Sequence, residues 1–311
     1  MTGILKHLVD WKYWSDEDVV RVLDLAQRVK HHRWEYQGHM QGNTLVMIFQ
    51  KTSTRTRVSF EAGMTELGGH AINLDWNTTN FTLSKIRFET RYLGRNAALI
   101  MARLKENADL LEMEKASTVP VINGCCNLYH PCQALADMLT IAEDRPEGIR
   151  GARLTYIGVY NNVANSLVSI AAPLGVHLTL VCPVREQGSI DEESRQRLLN
   201  EGLLTETLDA KAAVKEADYV YTDTWLDMEY FNDPGYTSER DIRCEIMMPY
   251  QVNRELLEGC HAKIMHDMPI HPDYEIAEDM IEDESSIIYD QAENRLDAQK
   301  AIMLHVHRHM K

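Results

Sequence analysis

The chain has 311 residues, with 32 Lys plus Arg against 47 Asp plus Glu and a formal charge of −15 at pH 7. At about 150 residues per domain that length implies two cores, and the acidic balance excludes a protein that grips nucleic acid or an anionic membrane through a basic face. With 44% apolar and 25% charged residues the composition is that of a globular protein and not of a disordered one. No apolar run reaches the roughly 18 residues of a membrane span. Met1 to Asp10 lacks the basic start and apolar stretch of a signal peptide, so a cytoplasmic address is the expectation. The cysteines, Cys125, Cys126, Cys132, Cys182, Cys244 and Cys260, form no CxxC pair and no spacing that suits zinc, and they read as reduced thiols.

Ser15, followed by Asp16, Glu17 and Asp18, reads as a helix N-cap with an acidic first turn, and predicts an opening helix. Thr44 to Phe49 (TLVMIF) has the pattern of a short buried strand. The polar segment Gln50 to Arg57 then leads into a helical stretch from Val58. Ala97 to Met101 and Val119 to Ile122 read as further strands, and Pro131 to Glu143 as the helix after the second of them. Repeated β then α predicts an α/β fold with a parallel sheet covered on both faces. Glu143 to Gly151 (EDRPEGIRG) gathers charge, Pro and two Gly and is the expected linker, with one domain over 1–143 and a second over 151–287. Beyond it, strands at Leu154 to Val159, His177 to Cys182 and Tyr219 to Thr222 alternate with helices at Val163 to Leu174 and Ala210 to Glu216, the rhythm of a doubly wound sheet. Asn294 to Met310 closes the chain as a helix. Its histidines, His305, His307 and His309, stand two apart, face different ways and form no metal site.

Ser53-Thr54-Arg55-Thr56-Arg57 sits where a strand hands over to a helix. Helix N-terminal N–H groups, hydroxyls and guanidinium forks there suit an anion, although the same five residues also fit a plain N-cap with surface arginines. His130-Pro131-Cys132-Gln133 opens a helix just after another strand and emerges at the same carboxyl edge, where ligands of open α/β sheets bind. There His130 can polarise a carbonyl and Gln133 can read an amide; Arg103 reaches that edge from a third strand. In the second half Asn161 and Asn162 again bridge strand and helix. They can bind a carboxylate or amide, or be simple turn residues. The GxGxxG of a nicotinamide-dependent oxidoreductase is missing there. Asp223 to Glu229 (DTWLDME) follows a strand and offers carboxylates to a cationic nitrogen; His266-Asp267-Met268-Pro269, after Ala262 to Met265, is a further strand-end loop.

Together these segments resemble the aspartate/ornithine carbamoyltransferase family over essentially the whole chain, the ornithine branch most. The resemblance is carried by SxRTR at Ser53 to Arg57, Leu67-Gly68-Gly69-His70-Ala71, HPxQ within HPCQALAD, Asn161 to Ser166, Tyr221-Thr222-Asp223, Pro249 to Asn253 and Asp290 to Leu296. It implies two α/β domains, the first binding carbamoyl phosphate and the second the amino substrate, with residues 288–311 returning to the first. It also implies a homotrimer with active sites at subunit interfaces, and no metal or organic cofactor. By residue, Ser53, Thr54, Arg55 and Thr56 would hold the phosphate, Arg103, His130 and Thr56 would face the carbonyl oxygen, Gln133 would bind the carbamoyl NH₂ and Arg295 would enclose the anion. Asn161, Asn162, Asp223, Asp227 and Met228 would take the acceptor.

Three departures bear on that acceptor. Ornithine enzymes usually show DxWxSMG and HCLP, whereas this chain has Asp227, Glu229 and Asp267 in place of the Ser, Gly and Cys. The KGE- or KES-like loop is not preserved over Thr82 to Thr90. The resemblance makes ornithine the default acceptor, with Asp267 expected to orient the attacking nitrogen or accept its proton; the added carboxylates point the other way. A more cationic acceptor, a guanidino compound or polyamine, is one alternative, and a non-catalytic paralogue with a binding role is another.

Overall fold

The computed structural model describes residues 5–186, 188–226, 231 and 233–308. They divide into two units, one made of the chain up to Glu143 together with the segment from Glu293 onwards, the other of Asp144–Ala292. The expected linker begins at that boundary.

Among the described residues the first unit carries β1 (Thr44–Phe49), β2 (His70–Asp75), β3 (Leu99–Arg103) and β4 (Val121–Cys125), all parallel, in the order β2-β1-β3-β4. The unbroken apolar run of β1 follows from its place inside the sheet, where both faces are covered. Val46, Ile48, Ile100, Ala102 and Val121 pack into one core with Leu110 and Met113 of the helix Asn107–Ala116. The second unit carries β5 (Arg153–Tyr160), β6 (His177–Arg185), β7 (Leu204–Glu206), β8 (Tyr219–Thr222) and β9 (Lys263–His266), again all parallel, in the order β7-β6-β5-β8-β9. Both sheets are doubly wound. After β1 the chain turns to one side and then returns to the other, and after β5 it does the same, so each sheet has a switch point where successive loops part.

Several elements match their sequence signals closely. Ser15 caps the helix Asp16–His31 by accepting from Asp18 N–H, and the helix after the HPxQ segment is Pro131–Asp144. The structure shifts others. β3 and β4 run to Arg103 and Cys125, beyond the expected ends at Met101 and Ile122. Pairing of Phe49 with Arg103 and of Arg103 with Cys125 sets where these strands stop, and side-chain polarity does not. β2, an edge strand with alternating burial, offers no apolar run and was not expected. Within the divergent stretch 82–90 the chain enters a helix, Ile86–Leu93, and the last helix, Ile288–Arg308, starts earlier than expected. His309 lies outside the described residues.

The Leu67 to Ala71 segment turns at Gly68, whose φ of +83° is one L side chains avoid, and a Cβ there would lie 2.9 Å from Gly38 Cα. Backbone meets backbone at that point, so neither side can yield cheaply. We expect Gly68→Ala to lower the unfolding free energy by about 1–3 kcal/mol, measured by denaturant titration; an unchanged midpoint would show that the turn relaxes.

Candidate active site

The carboxyl ends of β1 and β3, on the two sides of the first switch point, present the SxRTR loop and Arg103. Ser53 is extended and caps the helix Thr54–Glu66; its Oγ accepts from Thr56 N–H (3.3 Å) and donates to Thr56 Oγ1 (3.0 Å). That cap directs the first N–H groups of the helix, whose dipole favours an anion, outward. A cleft of about 290 Å³ opens beside the loop, bounded by Lys51, Ser53, Thr54, Arg57, Asn73 and Asp75. Thr56 itself is fully buried, Arg55 half-buried and Arg103 8% exposed.

Arg295, on the last helix, ties the loops together. Its guanidinium donates through Nη2 to Thr56 Oγ1 (2.7 Å) and through Nη1 to Gln133 Oε1. Residues 56, 133 and 295, far apart in the chain, therefore meet in one buried network. Gln133 passes it on, donating through Nε2 to Asp137 Oδ1 (2.8 Å). Burial lowers the His130 pKa well below its ordinary value, and the positive charges of Arg295, Arg103 and Arg55 lower it further. His130 is thus a neutral imidazole at the edge of a cationic pocket. The pocket can hold a dianion with three guanidiniums and can meet growing negative charge on a carbonyl oxygen with His130, Arg103 and Thr56. Ser53, Thr54, Arg55, Thr56, Arg103, His130, Gln133 and Arg295 thus all stand in the first unit at one sheet edge. Asp137 was missed in the sequence. Its signal was there, four residues after Gln133 on a helix and so on the same face.

The second unit gathers the other set at its own switch point, where the loops after β5 and β8 part. Asn161 caps the helix Asn162–Leu174, its Oδ1 accepting from Val163 N–H (3.0 Å) and Ala164 N–H (3.3 Å). Its carbonyl is therefore committed to the cap, while Nδ2 donates to Asp223 Oδ2 (2.8 Å). Asn162 opens the same helix. Asp223 Oδ1 accepts from Thr224 N–H (2.7 Å), and an oxygen of the Asp267 carboxyl lies within 4.8 Å of one of Asp223. Burial raises the Asp223 pKa well above the usual carboxylate range, and the neighbouring Asp267 carboxyl adds to the rise. Asp227, Met228 and Glu229 lie outside the described residues.

Asp223, Asp267 and His266 present one carboxylate oxygen each and a ring nitrogen within 4.8 Å of one another. His266 nevertheless has no lone pair to give a metal. Its Nδ1 accepts from Met268 N–H (2.8 Å), which places the ring proton on Nε2, where it is donated to Glu275 Oε1 (3.0 Å). Glu275, 1% exposed, also accepts from His271 N–H (2.6 Å). Burial alone would push its carboxyl up, but the hydrogen bonds from His266 and His271 outweigh burial and hold it at about 2. Glu275 too was missed, and no spacing could have shown it, because it sits nine residues from its partner in an irregular loop.

Residues 6–143 match the family described as "Aspartate/ornithine carbamoyltransferase, carbamoyl-P binding domain", and residues 150–306 match its "Asp/Orn binding domain". Over 306 residues the chain is 39% identical to the ornithine carbamoyltransferase of Archaeoglobus fulgidus, which covers 96% of this chain and 97% of that one. Among solved structures it is similar to the ornithine carbamoyltransferase of Pyrococcus furiosus, with a TM-score of 0.88, 36% identity and 97% of each chain covered. It is also similar to a variant of N-acetyl-L-ornithine transcarbamylase complexed with PALAO, with a TM-score of 0.81, 29% identity and 96% and 99% covered. The chain belongs to the aspartate/ornithine carbamoyltransferase family and is a carbamoyltransferase.

The depressed Glu275 carboxyl makes stability depend on acid. A group whose folded pKa lies below its unfolded value, here about 2 against 4.5, stabilises the fold above the unfolded pKa and loses that contribution as pH falls through the folded one. The contribution is of order 3 kcal/mol. Glu275→Gln should flatten the loss of stability between pH 4.5 and 2, read from denaturant midpoints across pH; parallel curves for both proteins would remove Glu275 from that role.

Proposed function

We propose that the protein transfers the carbamoyl group of carbamoyl phosphate to the side-chain amine of ornithine, or of an acceptor built like it, and releases phosphate. On this reading the first domain binds carbamoyl phosphate and the second the amino acid. The observation that carries the donor half is the fork of Arg295 on Thr56 and Gln133, which unites three motifs at one edge of the first sheet. Ser53, Thr54, Arg55 and Thr56 take the phosphate oxygens, with Arg295 across from them. Arg103, neutral His130 and Thr56 face the carbonyl oxygen, where charge grows as the amine adds. Gln133, fixed by Asp137, accepts from the carbamoyl NH₂. The bonds change in balance: the neutral amine nitrogen bonds to the carbonyl carbon, the carbon–oxygen bond to phosphate breaks with the electron pair leaving on phosphate, and one N–H bond of the amine breaks, its proton leaving on the phosphate.

On the acceptor side Asn161, Asn162 and Asp223, with Asp227 and Met228, hold the amino acid. The names of the relatives support ornithine over a guanidino compound or a polyamine. The buried polar set from Ser53 to Arg295 speaks against a non-catalytic paralogue, because scattered charged groups held in one desolvated site are costly unless they are used. The chemistry calls for neither a metal nor an organic cofactor, since three guanidiniums meet the charge of the donor. The family resemblance supports a homotrimer acting in the cytoplasm.

Incubation with carbamoyl phosphate and ornithine should give equal amounts of phosphate and ureido product; release of phosphate without a carbamoylated amine would sink this reading. Arg55→Ala should weaken carbamoyl-phosphate binding by about 2–4 kcal/mol, roughly 30- to 1,000-fold, as a fork to a desolvated dianion is lost. Unchanged affinity by calorimetry would take Arg55 out of the site.

A further inference from the structure

We propose that Lys300 is a positioning residue for the donor site: its ion pair with Glu66 holds the last helix in register against the helix Thr54–Glu66 and so sets where Arg295 meets Thr56. The inference rests on the donor reading above and deepens it.

The helix Thr54–Glu66 starts at the SxRTR loop, and Ile288–Arg308 carries Arg295. A helix held against its neighbour at one point can pivot there, whereas one held at two separated points cannot. The first point is the bond from Arg295 Nη2 to Thr56 Oγ1 (2.7 Å). The second lies at the far end of Thr54–Glu66, roughly 15 Å along its axis at 1.5 Å of rise per residue, where Lys300 Nζ donates to Glu66 Oε2 (2.8 Å). Between them the two helices come close at Gly63. A Cβ there would lie 3.1 Å from Lys300 Cγ, 3.4 Å from Met303 Cε and 3.6 Å from Leu296 Cδ1. The stem of Lys300 thus lies over the glycine while its ammonium reaches the end of the helix.

Lys300 is 1% exposed, and an ammonium so placed keeps its charge only beside carboxylates. Two stand against it: Glu66 and, one turn back on its own helix, the fully buried Asp297 at 2.7 Å. Arg33, in the short helix Arg33–Tyr36, completes the cluster at 3.5 Å from Glu66 and 3.7 Å from Asp297. Two cations and two anions cancel, so the cluster adds little to the field at the donor site. What it supplies is geometry. Asp297 aims the ammonium from its own helix, and Glu66 is the part of the other helix that it grips. Without that grip Ile288–Arg308 can rock about its close contact at Gly63, and Arg295 moves on the far side of that pivot. A guanidinium fork displaced by a fraction of its bond length no longer faces the dianion it is placed to hold.

The deciding variant is Glu66→Gln, which keeps the shape of the side chain and removes its charge. Loss of an anion would by field alone tighten the hold on carbamoyl phosphate, whereas loss of positioning loosens it. We expect calorimetry to show carbamoyl phosphate bound about 10-fold more weakly, the scale of a sub-ångström displacement. Lys300→Met should do at least as much, and Lys300→Arg should restore most of the affinity. Gly63→Ala, which changes no charge but presses on Lys300 Cγ, should weaken binding about threefold. In turnover KM for carbamoyl phosphate should rise in step while KM for ornithine stays within about twofold, because the acceptor groups belong to the second unit. A merely structural role would lower the yield of active enzyme and the apparent kcat but leave carbamoyl-phosphate affinity and both KM values as they are, and that result overturns the proposal. So does a Glu66→Gln enzyme that binds carbamoyl phosphate as tightly as wild type or more tightly. Should Lys300→Met not fold, Glu66→Gln and Gly63→Ala carry the test. If wild type itself binds no carbamoyl phosphate, the donor reading fails; if wild type binds it and the variants bind it equally well, only the role of Lys300 does.

Discussion

The guanidinium of Arg295 is the charge around which the first unit is organised. A side chain 3% exposed cannot keep its charge in a protein interior unless its N–H groups are satisfied, and Thr56 and Gln133 accept two of those bonds. Meeting that demand brings the end of the chain back to the loops that follow β1 and β4. It locks the Gln133 rotamer between Arg295 and Asp137 and aims the Thr56 hydroxyl. The cost of burying the cation is offset in part before any ligand arrives. The remaining positive field is what an anionic donor would neutralise, the preorganisation on which electrostatic catalysis depends.

The two units show opposite electrostatics by the same means. In the first, burial and three arginines drive His130 towards its neutral form. In the second, burial and a like charge drive the Asp223 carboxyl up. Each site thus prefers the charge it lacks. The contrast is local, because the chain as a whole is strongly acidic and its net charge does not tell the cationic pocket from the carboxyl pair. The Glu275–His266 pair adds geometry rather than charge. By fixing the ring proton on Nε2 it leaves Nδ1 to hold the backbone of Met268, and so it sets the turn that carries Asp267.

What could be read from the sequence follows the same physics. Strands buried on both faces, such as β1 and β8, announce themselves as apolar runs, and caps such as Ser15 and Ser53 are local hydrogen bonds between near neighbours. The edge strand β2 has one half-exposed face and gave no such signal, and Arg103 fell beyond the expected end of its strand because polarity does not reveal the pairing that keeps it in β3. The first-unit cluster was legible because Ser53 to Arg57 is a dense local motif. Asp137 could have been inferred from helical spacing, but the link from His266 to Glu275 is a tertiary hydrogen bond across an irregular loop and leaves no periodic trace.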